Sequence, residues 1–145
     1  MSNKLLKKMI LNSASFSKEE MLGPIEQELK DSDMYEAVLD NLSEGHVVID
    51  RDGYVRFYNR TIFSLIPISK ASGIEEGKNI GNVIIDKDMK KFILDVIDGK
   101  EKPEPKDFTL GDMSEIRTIR FEFKRLLCED EYYLDVIIRD ISDVI

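Results

Sequence analysis

The sequence predicts an α+β domain, because strand signals and helix signals occur in separate blocks along the chain. Two short β-rich runs flank an Asp-Gly pair in the stretch "VVIDRDGYVRFYNR", residues 47–60. One amphipathic helix follows later, and the last third of the chain alternates apolar and polar residues as a half-buried sheet does. At 145 residues the chain is long enough for one domain with its own hydrophobic core.

Residues 1–33 differ from the rest and predict a helical extension. An apolar stripe at helical spacing faces three lysines, and Ser17 with Glu20 has the spacing of a capping box. The stripe consists of Leu5, Leu6, Met9 and Ile10. The extension is expected either to pack against a partner chain or to lie on its own domain, and the sequence favours neither alternative. A membrane-surface helix ranks third, because the basic face is only three lysines long.

From residue 34 the pattern predicts a short helix in "DMYEAVLDNLSEG", closed at Gly45. The strands "HVVID" and "YVRFYN" follow, and Asp52-Gly53 joins them as a hairpin, because Gly adopts positive φ at little cost. Short apolar groups interrupted by Pro67 and Gly81 then predict short helices and loops.

The stretch "DKDMKKFILDVIDG" predicts a longer helix, capped by Asp86 or Asp88 and ended by Gly99. Its expected buried stripe is Met89, Phe92, Ile93, Val96 and Ile97. Three strands follow in "KDFTLGD", "EIRTIRFEFKRLL" and "YYLDVIIRDISDVI". The predicted order is therefore two strands, several helices and three strands.

Three motifs in this order resemble a PAS domain from about Met34 to Val144. The segment "DRDGYVRFYN" looks like the family's opening hairpin, and "DMKKFILDVIDG" like its helix before a three-strand run. The segment "RDISDV" is similar to the Asp-Ile-Thr signature at which a PAS core meets an output helix. The resemblance implies a five-stranded antiparallel sheet with helices packed on one face, over residues 34–145.

The resemblance also marks a structural and signal motif, which consists of Asp52, Gly53, Asn59, Arg139, Asp140 and Ser142. It implies that Asp140 pairs with a basic residue and anchors an exit helix. Ser142 stands where Thr is more usual and retains the hydroxyl group. From the residues alone, Asn59 is expected to cap the helix that starts in "RTIFSLI". The stretch "CEDEYY" lacks the glycine that many members have before the last strand.

Strand alternation directs a set of apolar side chains toward the helices. The strand residues of this set are Val47, Ile49, Val55, Phe57, Ile119, Phe121, Phe123, Leu134, Val136 and Ile138. The helix opposes them with Phe92, Ile93 and Val96. A polar metabolite needs convergent donors and acceptors, of which this set offers few. A packed core without ligand is the first expectation, and a pocket for an apolar or flat ligand is the alternative.

Composition argues against several function classes. The net charge of −8 and the pI of about 4.8 oppose nucleic-acid binding, which depends on Lys and Arg. No run approaches the roughly 20 apolar residues of a membrane span. The single cysteine, Cys128, is interpreted as structural, and paired carboxylates in polar runs as solvated surface. We therefore expect a cytoplasmic protein that is not an enzyme.

The single histidine, His46, is expected at the start of the first strand and half exposed. A lone histidine without suitably spaced ligands does not predict a metal site. The resemblance argues against haem, because haem-binding PAS domains carry their iron ligand on the long helix, which has no histidine here. It also excludes covalent flavin photochemistry, because no cysteine follows Asn59 in "RTIFSLI". No cofactor is predicted.

These observations predict a non-catalytic PAS module for sensing and dimerisation in a bacterial signalling protein. By resemblance, the parent protein is a sensor histidine kinase of a two-component system, with an output domain downstream. A homodimer through the N-terminal helices and the sheet is expected, and the chain is interpreted as a fragment of a longer protein. The alternative is a PAS sensor that binds a cofactor or small ligand in an apolar pocket.

Overall fold

The computed structural model describes residues 9, 37–69, 77–111 and 115–142. Its strands are β1 (Gly45–Ile49), β2 (Val55–Tyr58), β3 (Lys106–Gly111), β4 (Ile116–Cys128) and β5 (Glu131–Asp140). Its helices between β2 and β3 are α1 (Ile62–Leu65), a 3₁₀ turn (Ile80–Asn82) and α2 (Lys87–Ile97). The predicted extension over 1–33 lies outside these ranges, except Met9, which is helical and 1% exposed.

All five strands form one antiparallel sheet in the order β2-β1-β5-β4-β3. We call the side that packs against the helices the inner face and the opposite side the outer face. The inner face carries the main core, in which strand residues such as Val47 and Phe121 meet Met89 and Ile93 of α2. This arrangement confirms the predicted α+β class and the five-stranded sheet with helices on one face.

The β1–β2 hairpin turns at Asp52-Gly53 as predicted. The carboxylate of Asp50 accepts hydrogen bonds from the backbone N–H groups of Asp52 and Tyr54, both at 3.0 Å. Gly53 has φ of +87°, a conformation that suits glycine because it has no Cβ. The side chain of Asp50, two residues before Asp52, therefore stabilises the turn.

A β-bulge in this hairpin corrects the prediction for Phe57. Val48 pairs with Phe57, but Ile49 pairs with Val55, so Arg56 is the extra residue. An extra residue reverses the alternation of side chains between the two faces. Val55 therefore belongs to the inner core as expected, whereas Phe57 lies on the outer face, where it is 2% exposed.

Helix α2 begins and ends at the predicted residues. Of the two candidate caps, Asp86 is the N-cap, and its carboxylate accepts hydrogen bonds from the N–H groups of Asp88 and Met89 at 3.1 and 3.0 Å. Gly99 follows the helix with φ of +78°. Gly45, expected to close the preceding helix, is instead the first residue of β1, and the described helical residues there are 37–40.

The β4–β5 connection is a two-residue turn without glycine. Cys128 pairs with Glu131, so only Glu129 and Asp130 lie between the strands. Both adopt positive φ, at 53° and 66°, as a type I′ hairpin turn requires. The turn that the family pattern would supply with glycine is thus formed here by two acidic residues.

Gly45 allows α1 to approach β1 closely, so we expect Gly45→Ala to destabilise the domain. A Cβ at this position would lie 2.7 Å from Cγ2 and 3.2 Å from Cα of Ile62. Overpacking of this kind costs about 2 kcal/mol, measurable by urea unfolding. In an Ile62→Ala background the same substitution should cost less than half as much. Equal costs in both backgrounds would contradict a steric cause.

Candidate functional site

A group of charged side chains is buried on the outer face of the sheet. Glu44, His46 and Asp135 are 4%, 2% and 3% exposed. Their apolar neighbours Val48 and Ile137 on the same face are equally buried. The prediction of a half-exposed His46 is therefore wrong, because strand position alone does not reveal that the outer face is also covered.

His46 lies between two carboxylates. Its Nδ1 atom is 3.0 Å from both carboxylate oxygens of Asp135, and its Nε2 atom is 3.0 Å from Oε1 of Glu44. A carboxylate only accepts hydrogen bonds, so each ring nitrogen must carry a proton to satisfy its partner. This geometry therefore stabilises the doubly protonated, positively charged imidazolium form.

The electrostatics agree with this protonation state. Burial alone disfavours the charged ring, but the hydrogen bonds and negative charges of Asp135 and Glu44 outweigh it and raise the pKa of His46 to about 9. The ring is consequently charged at neutral pH. It has no nitrogen lone pair with which to act as a base or a metal ligand there.

Arg139 adds a second cation to this group. Its Nη2 atom lies 3.0 Å from Oε2 of Glu44, so Glu44 bridges Arg139 and His46 through its two oxygens. The Nε atom of Arg139 is buried and forms an ion pair with Oε1 of Glu122 at 3.6 Å, which is too long for a hydrogen bond. We call Glu44, His46, Asp135 and Arg139 the outer-face cluster.

Asn59 connects this cluster to the segment before β1. Its Oδ1 accepts from the N–H of His46 at 2.8 Å, and its Nδ2 donates to the carbonyl oxygens of Leu39 and Glu44 at 2.9 and 3.0 Å. The predicted N-cap role is wrong, because α1 has Thr61 at that position and no side-chain cap. Asn59 is instead a fully buried clamp between distant backbone segments.

The end of β5 forms a separate polar junction. Oδ1 of Asp140 accepts hydrogen bonds from the backbone N–H and the hydroxyl of Ser142, at 2.9 and 2.6 Å. The Ser142 Oγ accepts from the N–H of Thr118 at 2.9 Å, which ties the junction to β4. These bonds lower the pKa of Asp140. The charge of Arg117 also lowers the pKa of Asp140, whereas the adjacent Arg139 pairs with Glu44 instead. The implied anchoring of an exit helix by Asp140 stays a prediction.

Comparison with solved structures identifies the fold. No family model and no curated protein matches the sequence. A PAS domain from a two-component sensor histidine kinase superposes with a TM-score of 0.50 at 14% identity, over 74% of this chain and 94% of that chain. The chain has the PAS fold. The PAS domain of an HTR-like protein from Haloarcula marismortui is also similar, at 19% identity and a TM-score of 0.49, over 76% of this chain and 96% of that chain.

The inner face of this PAS fold is closely packed at its centre. Val47, Ile93 and Val136, all expected to line a pocket, surround a void of only about 10 Å³. Val55, Phe92, Ile119 and Phe121 lie in the surrounding core. A void of this size holds about one water molecule. Whether these residues receive a ligand stays a prediction.

The inner face is open at the end nearest the β4–β5 turn. Ile49, Val96 and Leu134, also expected to line a pocket, contribute to a cleft of about 540 Å³ there. The predicted lining is thus divided between the closed centre and this cleft, with Phe57 on the other face.

Two further features bear on chemistry. Cys128 carries a free thiol and is buried at the end of β4. Within the described ranges, no three metal-ligating side chains are placed to share an ion.

Over those same ranges, no helix has the length and apolar character that crossing a membrane requires.

We expect the free energy of unfolding of this domain to fall as pH rises from 6.5 to about 9. The pKa of His46 is about 9 in the folded state, against an ordinary value of 6.5. The stabilisation from the charged ring is therefore fully present below pH 6.5 and is lost as the pH rises to and beyond 9. The expected loss is on the order of 3 kcal/mol, measured by urea unfolding.

The control for this pH dependence is His46→Gln, which should make stability nearly flat over that range. Because His46 is the only histidine, its ring signal in NMR spectra reports its pKa without overlap. A ring that titrates near 6.5 would contradict the buried imidazolium.

We also expect Asn59→Ala to destabilise the domain by about 3 kcal/mol, because it removes three buried hydrogen bonds, one of which satisfies the N–H of His46. Urea unfolding measures this loss. The matched control is Asn41→Ala, whose side chain donates one exposed hydrogen bond to the Ala37 carbonyl and should cost at most about 0.5 kcal/mol. Equal costs for the two variants would argue against the clamp.

Proposed function

We propose that this chain is a non-catalytic sensory and dimerisation module of a cytoplasmic, bacterial signalling protein, with a sensor histidine kinase as its parent. In this proposal the module relays a signal between the segment before β1 and the Asp140–Ser142 junction. A downstream output domain receives the signal, and neither haem nor covalently bound flavin takes part.

One observation carries the proposal: a continuous series of polar contacts joins the two ends of the domain. Asn59 binds the carbonyls of Leu39 and Glu44, and Glu44 forms an ion pair with Arg139. Arg139 directly precedes Asp140, which holds Ser142. A movement of the segment before β1 therefore bears on the residues at which β5 ends.

The chemistry of the outer-face cluster supports a relay rather than catalysis. General acid–base catalysis needs a group whose proton can reach a substrate. Here His46 is buried, and both of its nitrogens donate to carboxylates of the same cluster. Buried ion pairs of this kind fix the relative positions of the segments they join.

The likeness to a PAS domain from a sensor histidine kinase supports the proposed parent protein. For a signal to be relayed, its source must interact differently with two states of the module. We propose that the two states differ in how the segment before β1 packs on the outer face, and that a homodimer through the N-terminal helices and the sheet transmits the difference.

A second candidate function, a sensor for a small ligand, is favoured by the open cleft at the end of the inner face. Its volume of about 540 Å³ falls within the range of known small-molecule sites. Its lining combines apolar and charged side chains, in contrast to the closed and apolar centre of the core.

Sedimentation equilibrium of the full chain tests the first proposal. We expect a mass of twice 16.7 kDa at protein concentrations of tens of micromolar. A monomer under these conditions would contradict the dimer. Absorption spectra and native mass spectrometry of freshly purified protein separate the two candidates. A colourless protein with a bare chain mass supports the relay module, and a coloured or mass-shifted species supports the ligand sensor.

A further inference from the structure

The open cleft exists because the sheet is longer than the helical layer that covers it. Helix α2 ends at Ile97, whereas the β4–β5 hairpin continues to its turn at residues 129–130. Strand register places Ile49, Leu134 and Arg125 side by side in one row across the inner face. The next row pairs Tyr132 with Leu127, which are 55% and 42% exposed.

The cleft has an apolar floor and one apolar wall. The half-buried Leu134, beside the buried Ile49, forms the floor on the sheet, and Val96 and Ile97 come from the last turn of α2. Tyr132 adds an exposed aromatic ring at the rim. Large apolar side chains left accessible beside a concave surface are typical of a binding site for an apolar group.

Three cations line the same cleft, although the whole chain has a net charge of −8. They are Arg51, Lys102 and Arg125, all exposed. None of them forms an ion pair within the described part of the chain. The carboxylates in the lining are Asp50, already paired with Arg56 at 3.0 Å, and Glu101. The cleft therefore has an excess of positive charge beside its apolar floor.

We propose that this cleft binds a small amphipathic anion, with its apolar body on Leu134 and Val96 and its acidic group among Arg51, Lys102 and Arg125. The proposal rests on the second candidate function and specifies its ligand class. Arginine favours oxyanions such as carboxylates and sulfonates, because its planar group donates two parallel hydrogen bonds. Arg125 lies next to Leu134 in the register, so one ligand can contact both.

Two fluorescent probes test this proposal on the full chain. Anilinonaphthalene sulfonate has an apolar ring system and one negative charge, and phenylnaphthylamine has the same rings without the charge. We expect the anionic probe to bind one site per chain, about tenfold more tightly than the neutral probe. Equal affinity for both probes, or no binding of the anionic probe, would overturn the proposal.

Charge reversal then locates the site. The double variant Arg125→Glu, Lys102→Glu should weaken binding of the anionic probe about tenfold and change binding of the neutral probe by less than about twofold. The matched control is Lys90→Glu, an exposed lysine of α2 outside the cleft lining, which should leave both affinities unchanged. An unchanged affinity in the double variant would place the probe elsewhere and overturn the proposal.

Tyr132→Ala provides an independent test, because loss of the exposed ring should weaken the binding of both probes to a similar extent. If a second copy of the chain occupies the cleft instead, probe binding will fall as protein concentration rises, which also overturns the proposal. These outcomes do not depend on the sedimentation mass, so a failure of the ligand class and a failure of the dimer are distinguishable.

Discussion

The buried charge of His46 is the constraint on which the arrangement of the outer face depends. An imidazolium that is 2% exposed is tolerated only while both ring nitrogens keep their carboxylate partners. Those partners come from different segments, Glu44 before β1 and Asp135 within β5. Glu44 in turn needs Arg139 to balance its charge. The cluster therefore couples the start of β1 to β5, so a shift of either segment has to be matched by the other.

Asn59 extends the same constraint to a third segment. Its amide satisfies the N–H of His46 at the start of β1 and donates to the carbonyl groups of Leu39 and Glu44 in the segment before β1. The hairpin bulge adds an apolar side chain to this face, because it directs Phe57 to the outer face. The outer face thus has a polar centre with apolar residues around it. Antiparallel sheets commonly expose this second face to water, whereas here it is buried.

The two faces of the sheet consequently suit different roles in the proposed module. The inner face is apolar and closed at its centre, where only about 10 Å³ is empty, and it opens only toward the β4–β5 turn. The outer face joins the segment before β1 to the residues before Asp140. In this interpretation a ligand would act from the end of the inner face, and a partner or a linker movement would act through the outer face.

Local signals in the sequence were sufficient for the secondary structure. The Asp52-Gly53 turn, the Asp86 cap and the Gly99 helix end depend on residues within a few positions of one another, so their patterns are readable from the chain. The alternation of β4 and β5 likewise predicted the inner residues, and the order of these elements supported the PAS fold. These features determined most of the fold and the apolar side of the candidate cleft.

Tertiary structure alone decided the polar site. His46 and Asp135 are 89 positions apart, and no local pattern links them. Phe57 changed faces because of a bulge that is defined only by pairing with β1. Asn59 looked like a helix cap, yet its partners are backbone groups 13 to 20 residues away. The sequence by itself determined which segments are strands and helices, and long-range pairing determined which side chains share a buried surface and hence which charges had to be balanced.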